Sequence, residues 1–298
     1  MCKNLNQSIE LDNDLFYNHC PICQSNKIKK IGELDYYSRE NLTYANFYIK
    51  LKRIPELWEC IDCKSWFAQN IIKESDSISL YTKGEFIKRN SNEDMSIYKF
   101  ENRKPPDIKK ILSENLPQKS KVLDIGCDTG DLLDFLKKNG HTTFGLEYSK
   151  ASRNILQKKG HIAYSNFAEI NEKFDVITAF DLIEHIYNFQ LFLDNCSNLL
   201  NSNGILVFFT GNIDSKSSKK QKTKWWYFSF AEHIIFPSKQ AYETNDLKVI
   251  KYNKVRLDNE LKITVRSLIR KIIRLFSLSY DGWPFNSDHH IIVLKKNT

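Results

Sequence analysis

The stretch 121-KVLDIGCDTGDLLDFLKKNG-140 reads as a short apolar strand, a glycine-bearing turn and an amphipathic helix. Leu132, Leu133, Phe135 and Leu136 share one helical face, and Gly140 stops the helix. Units of this kind hold several cofactors, and the residues of the turn separate them. A dinucleotide fingerprint reads G-x-G-x-x-G, with the helix N-terminus cradling a pyrophosphate. Here the glycines are Gly126 and Gly130, with Asp124 before them and Asp128 between. Two carboxylates repel a pyrophosphate. They favour a ligand that carries an ammonium group and a sulfonium centre.

Outward from this unit, strands and helices alternate, the pattern of a doubly wound α/β sheet. A second strand, 142-TTFGLEY-148, ends in Glu147, about twenty positions beyond the turn. A carboxylate at that distance accepts hydrogen bonds from both hydroxyls of a ribose. Together the two features describe an adenosine-like cation, and S-adenosylmethionine is such a ligand. Later strands are 174-FDVITAF-180, 205-ILVFFTGN-212 and 289-HHIIVLKK-296. The fourth strand delivers 181-DLIEH-185 to the carboxyl end of the sheet, where ligands of such folds gather. A helix opening near Asp181 would set Asp181, Glu184 and His185 on one face. A histidine there can take the proton of an attacking hydroxyl. His233, in 231-AEHIIFPSKQAYE-243, is a further base or ligand. The competing reading makes Glu184 and His185 a packing element.

The ordered set 122-VLDIGCDTG-130, Glu147, 174-FDVITAFDLIEHI-186 and 203-NGILVFFTGN-212 resembles the class I S-adenosylmethionine-dependent methyltransferases. The resemblance covers Pro105 to the C-terminus and implies a Rossmann-like seven-stranded sheet. It implies that the loop of Asp124, Gly126, Cys127, Asp128 and Gly130 holds the methionine part. Glu147, followed by Tyr148, would hold the ribose, Asn166 and Phe167 would flank the adenine, and Phe180 would close the fourth strand beside them. Asp128 departs from the family's middle glycine, but Asp tolerates a positive φ better than most residues. The D-x-x-E-H spacing looks like the E-x-x-E-H element of ubiquinone-pathway and small-RNA 2′-O-methyltransferases. That likeness implies a divalent cation such as Mg²⁺, which would activate a coordinated hydroxyl.

Upstream, 20-CPIC-23 and 60-CIDC-63 form two C-x-x-C knuckles. Each sets two thiolates on one side of a bend, and Cys20, Cys23, Cys60 and Cys63 complete a tetrahedral zinc site. With short strands in 44-YANFYIKL-51 and 57-LWECIDCKSWFA-68, residues 1–75 read as a zinc-ribbon β-module. Closed on four cysteines, its zinc is structural, a staple for a segment too small to hold itself together. Residues 76–104 read as a connector ending in 103-RKPPD-107, and 105–298 as the cofactor-binding domain.

The 298 residues are 41% hydrophobic and 27% charged, ordinary for a globular chain, and no window approaches a membrane span. The N-terminus shows no signal-peptide pattern, and the expectation is a cytoplasmic protein with its thiols reduced. The net charge of +8 is mildly basic and suits a lysine-rich solvated surface or an anionic partner. The run 214-DSKSSKKQKTKWWYFSF-230 reads as a mobile Ser/Lys loop, then an aromatic lid or core segment. Residues 259–277 read as a basic amphipathic helix that covers the sheet or touches a membrane surface. The layout resembles sugar methyltransferases of polysaccharide and natural-product pathways, implying a hydroxyl of a nucleotide- or lipid-linked sugar as acceptor. A ribosomal RNA base methyltransferase, also with a zinc module first, is the alternative, and a zinc-dependent interaction protein with a relic cofactor fold is the third. Oligomeric state is not legible in the residues.

Overall fold

The computed structural model describes residues 8–34, 42–44, 47–82, 106–244, 246–255 and 288–297. Its first part holds β1 (Ser8–Leu11), β2 (Ile28–Glu33), β3 (Leu42–Tyr44), β4 (Phe47–Leu51), β5 (Glu56–Cys60) and β6 (Trp66–Gln69), followed by α1 (Glu74–Thr82). β1, β4 and β3 form a small sheet, while β2, β5 and β6 form an antiparallel one. The two knuckles are built alike. The residue after each second cysteine, Gln24 or Lys64, takes a left-handed conformation, with φ of 63° and 58°. Its N–H returns to the carbonyl of the first cysteine, at 2.9 Å from Gln24 to Cys20 and 3.0 Å from Lys64 to Cys60.

The second part runs through α2 (Pro106–Asn115), β7 (Lys121–Ile125), α3 (Asp131–Lys138), β8 (Thr142–Leu146), α4 (Lys150–Lys158), β9 (Ile162–Tyr164) and β10 (Phe174–Phe180). It continues with α5 (Phe189–Leu199), β11 (Leu200–Gly211), α6 (Lys216–Gln221), β12 (Ile235–Phe236), β13 (Leu247–Val255) and β14 (His289–Lys296). Pro106 opens α2, where its missing N–H costs nothing. The large sheet has seven strands in the order β13-β14-β11-β10-β7-β8-β9, with β14 antiparallel to both neighbours. This is the expected α/β architecture. The strand order reverses at β7 and β10, so their carboxyl ends open the crevice where a ligand fits.

Strand alternation divides the core. Leu123, Ile177, Leu206, Phe208 and Ile292 fall in one cluster, and Val122, Val176, Val207, Phe209 and Ile291 in the other. On α3, Leu132, Leu133 and Leu136 are buried, Asp131 and Asp134 lie in the first turn, and Lys137 and Lys138 lie in the last. Each buried leucine contributes about 1.5–3 kcal/mol, and the charges run with the helix dipole. The first cluster does not stop at the sheet. It continues through Trp225, Phe228 and Ile234 into Trp66, Phe67, Cys20 and Ile22 of the cysteine module. β12 pairs antiparallel with β6, Ile235 opposite Phe67, so a strand from the second part completes the small sheet as β12-β6-β5-β2.

Two expectations change here, and one open alternative closes. No helix opens at Asp181: its φ of 52° turns the chain, its N–H donates to the Phe209 carbonyl at 2.8 Å, and a 3-10 turn follows at Ile183–His185. Asp181 is exposed while Glu184 is buried, so the shared face does not exist. The Ser/Lys run is not loop throughout. Ser215 caps α6 through the Ser218 N–H, and Ser217 and Ser218 are buried. Trp225, Tyr227 and Phe228 are core, with Trp226 half-buried. The basic segment 259–277 and the connector beyond Thr82 lie outside the described residues.

Candidate active site

The glycine turn after β7 is left-handed at Gly126 (φ 72°), Asp128 (φ 48°) and Gly130 (φ 86°). A Cβ at Gly130 would stand 2.4 Å from Leu156 Cδ2, so α3 meets α4 closely only because that position is glycine. Asp128 occupies the middle position, and its Oδ1 accepts from Ser152 Oγ at 3.1 Å. Asp124 is buried at the end of β7 and accepts from Thr178 Oγ1 at 2.7 Å. Glu147 reaches back across the turn. Its Oε2 accepts from the Asp128 N–H at 3.0 Å and its Oε1 from the Ser149 N–H at 2.8 Å. The amides fix the carboxylate and leave each oxygen a free lone pair, the arrangement a vicinal diol requires. Burial, with the charge of Asp128 beside it, raises the Glu147 carboxyl above the ordinary glutamate value. Burial and these three acids raise the Cys127 thiol as well. So much negative charge in one partly dry turn suits a cationic ligand, as S-adenosylmethionine is. Tyr148 and Asn166 are exposed, and Phe167 packs edge-on against Phe192 at 6.3 Å beside them.

Gly126 also meets the second half of the site. A Cβ there would touch Leu182 Cδ1 at 3.0 Å, so the DLIEH segment packs directly on the turn. Phe180, half-buried, packs on Phe209 at 5.8 Å. Glu184 is buried, and both its oxygens are engaged: Thr210 Oγ1 donates to Oε2 at 2.7 Å and the Tyr227 hydroxyl to Oε1. Burial raises its carboxyl, which the charge of His185 opposes and that of Asp181 reinforces. His233 lies behind His185, ring centroids 4.9 Å apart and edge-on. Its Nδ1 is 2.8 Å from the Tyr227 carbonyl oxygen. A carbonyl only accepts, so Nδ1 carries the proton and Nε2 presents a lone pair, 4.0 Å from Glu184 Oε1. Burial, then the neighbouring His185, pushes the His233 imidazole well below its ordinary value and keeps it neutral.

The structure thus brings Glu184, His185 and His233 together, with Asp181 on the exposed rim. Tyr227, read from the sequence as one of an aromatic run that stacks on a ligand or packs as core, joins them, as do Thr210 and Glu232, which the sequence did not single out. Burial raises the Glu232 carboxyl against the charge of His185, and no hydrogen-bond partner meets its Oε2. No local signal marks the place of Tyr227, which depends on Gly211, the glycine that ends β11. A Cβ there would stand 2.3 Å from Tyr227 Cε1, so the ring lies flat on the strand end.

Reactive atoms of Glu184, His185 and His233 lie within 4.8 Å of one another. Ligands of one ion with bonds of about 2.1 Å stand at most about 4.2 Å apart. His233 Nε2 and Glu184 Oε1, 4.0 Å apart, fall within that span. The cysteine site has the spacing of a tetrahedral ion. Cys20 and Cys63 Sγ are 3.8 Å apart, and Cys23 and Cys60 Sγ 3.5 Å. Zinc–sulfur bonds of about 2.3 Å at tetrahedral angles set an edge of about 3.8 Å. The four thiols fit zinc, and hydrogen bonding from Cys20 holds the Cys63 thiol below its ordinary value.

The sequence profile of the family described as Methyltransferase domain matches residues 98–250, just over half of the chain. A Bradyrhizobium diazoefficiens protein named ubiquinone biosynthesis O-methyltransferase is 28% identical over 179 residues, 56% of this chain and 66% of that protein. The Pelagibacter ubique protein of the same name is 33% identical over 118 residues, 36% of this chain and 49% of that one. The match therefore spans between about half and two thirds of these relatives' own lengths. Among solved structures, a chain from the complex of the Haloferax volcanii Trm112 methyltransferase activator with a methyltransferase superposes with a TM-score of 0.50. That likeness, at 12% identity over 64% of this chain and 89% of the other, is one of fold.

Proposed function

Because the chain belongs to the methyltransferase-domain family and carries a class I S-adenosylmethionine-dependent methyltransferase domain, we propose that it methylates a hydroxyl oxygen of a small molecule. The observation that carries this reading is the neutral His233 beside His185 and buried Glu184, at the carboxyl end of β10 and against the glycine turn. S-adenosylmethionine supplies an electrophilic methyl on a sulfonium, and an attacking hydroxyl must lose its proton as the new bond forms. Asp124, Asp128 and Glu147 bind and orient the cationic donor. His185, the more exposed imidazole, takes the acceptor proton. Glu184 and Glu232 lie within electrostatic reach of the ring that becomes charged. The names of the relatives support oxygen as the acceptor atom.

For the acceptor we keep a hydroxyl of a nucleotide- or lipid-linked sugar, which the order of zinc module, connector and methyltransferase domain (1–75, 76–104, 105–298) supports. In a second reading, Glu184, His185 and His233 hold a divalent cation that polarises the same hydroxyl. The bond from His233 Nδ1 to a backbone carbonyl favours it, since metal-binding histidines are commonly oriented this way. Among the described residues no helix is long and apolar enough to cross a membrane.

The test is a methyl-labelled donor offered with panels of sugar nucleotides, lipid-linked sugars and phenols, followed by product analysis. An O-methyl product formed by the wild type and abolished by His185→Ala is expected. Methylation on nitrogen or carbon, or full activity in the variant, would overturn the reading.

A further inference from the structure

The cysteine module was expected to be a staple for its own segment. Its hydrogen bonds lead elsewhere. Ser238 Oγ donates to the Cys63 carbonyl at 2.5 Å, and the Ser238 N–H donates to Ser65 Oγ at 3.0 Å. Gln240 Nε2 reaches the Asp62 carbonyl at 3.0 Å. Every turn residue of the second knuckle from Asp62 to Ser65, except Lys64, is therefore tied to the segment that follows β12. β12 itself is only two residues long and, among the described residues, pairs with β6 alone. Just before it, the Ile234 carbonyl accepts from the Ala68 N–H at 2.7 Å, while the Ile234 N–H donates to the Glu184 carbonyl at 2.7 Å. One residue thus bonds the cysteine module on one side and the reactive cluster on the other. His233 is its neighbour in the chain. Side chains repeat the link: Phe228 packs on Phe236 at 4.6 Å and on Trp66 at 6.3 Å, within the single core that spans both parts. The Tyr17 hydroxyl donates to the Tyr187 carbonyl at 3.3 Å and the Tyr187 hydroxyl to the Ile72 carbonyl at 3.0 Å, closing the other flank of the DLIEH turn.

We propose that the zinc knuckle of Cys60–Ser65 positions the reacting histidines. Ser238 and Ile234 transmit its geometry through β12 to His233 and Glu184, while the cofactor-binding turn stays independent of it. Two residues of strand paired on one side cannot hold an imidazole in place without the knuckle to anchor them. By contrast, the Asp124–Gly130 turn and Glu147 are held by hydrogen bonds from the turn's own amides, the N-terminus of α4 and Thr178 of β10, and the DLIEH segment meets them through the Leu182 side chain at Gly126. Ser238 is a positioning residue, and zinc occupancy sets the competence of the acceptor half alone. The proposal rests on His233 belonging to the reactive cluster, but its test does not need turnover.

Full-length protein labelled with ¹⁵N-histidine, at one fixed pH, reports the tautomer of each imidazole, and His233→Gln assigns the signal. In zinc-loaded protein His233 should appear as the Nδ1-protonated form. Stripping zinc, or replacing Cys23 with serine, should shift or broaden that signal, and restored zinc should return it in the wild type. Affinity for S-adenosylhomocysteine should stay within about twofold throughout. Ser238→Ala should disturb the same signal at full zinc content. An unchanged His233 signal in zinc-free protein, or in Ser238→Ala, overturns the proposal. Loss of S-adenosylhomocysteine binding together with zinc also overturns it, because the module would then support the whole fold. A missing methyl product alongside a zinc-responsive His233 would instead count against the reaction assigned above.

Discussion

His233 Nδ1 stands 2.8 Å from the Tyr227 carbonyl oxygen, and that contact decides which nitrogen of His233 can react. The same tyrosine donates its hydroxyl to Glu184, so one residue orients both an imidazole and a carboxylate of the cluster. Gly211 makes room for its ring. Gly211→Ala puts a methyl within 2.3 Å of that ring. It should destabilise the fold by about 1–3 kcal/mol, the usual range for overpacking, and lower turnover. Denaturant unfolding checks the first effect; a variant as stable as wild type would show that the ring moves freely.

His185→Ala should lower turnover by about 10²–10⁴-fold, as loss of a general base does, while cofactor binding survives. The cation reading separates on a further measurement, made in magnesium-free buffer with the cysteine-bound zinc retained. Activity that vanishes there and returns with added Mg²⁺ supports a bound cation. Turnover indifferent to Mg²⁺ leaves the histidine as base.

Removing metal ligands gives a direct check on the cysteine site. Wild-type protein should carry about one zinc per chain, and Cys60→Ser and Cys63→Ser should each lose it. Elemental analysis that finds unchanged zinc in these variants would refute the assignment.

His290, buried among Tyr242 and Tyr252, gives a pH prediction. Burial pushes its imidazole down to about 3, below the value of about 6.5 in the unfolded chain. Between these values the unfolded state binds a proton that the folded state refuses, so stability falls as pH drops through the window. The slope approaches about 1.4 kcal/mol per pH unit. Comparing wild type with His290→Gln cancels the other titrating groups. Their difference in unfolding free energy should fall by about 1 kcal/mol between about pH 6.5 and 5.5, and parallel curves would contradict the burial argument.

Much of the sheet was legible because strands buried on both faces, whether parallel like β10 or antiparallel like β14, read as continuous apolar runs. The stretches 174-FDVITAF-180 and 289-HHIIVLKK-296 coincide with β10 and β14. The turn at Asp181 was not legible, because D-x-x-E-H fits a helical face as well as it fits a 3-10 turn entered through a left-handed residue. Nor was β12: two residues, Ile235 and Phe236, carry no periodicity, and their partner strand lies far away in sequence. Tyr227 was hidden for the same reason. Its role depends on a glycine and a carboxylate contributed by other elements. Sequence patterning reports local burial, whereas this half of the site is assembled from contacts across the chain.

The central claim is that the acidic turn receives S-adenosylmethionine, with Glu147 on its ribose. Calorimetric titration of that ligand into wild type and Glu147→Ala tests it most directly. Losing a charged double acceptor should weaken binding by about 1.5–3 kcal/mol, and NAD should bind neither protein appreciably. Equal affinity in the two proteins, or tighter binding of NAD than of the methyl donor, would contradict the account.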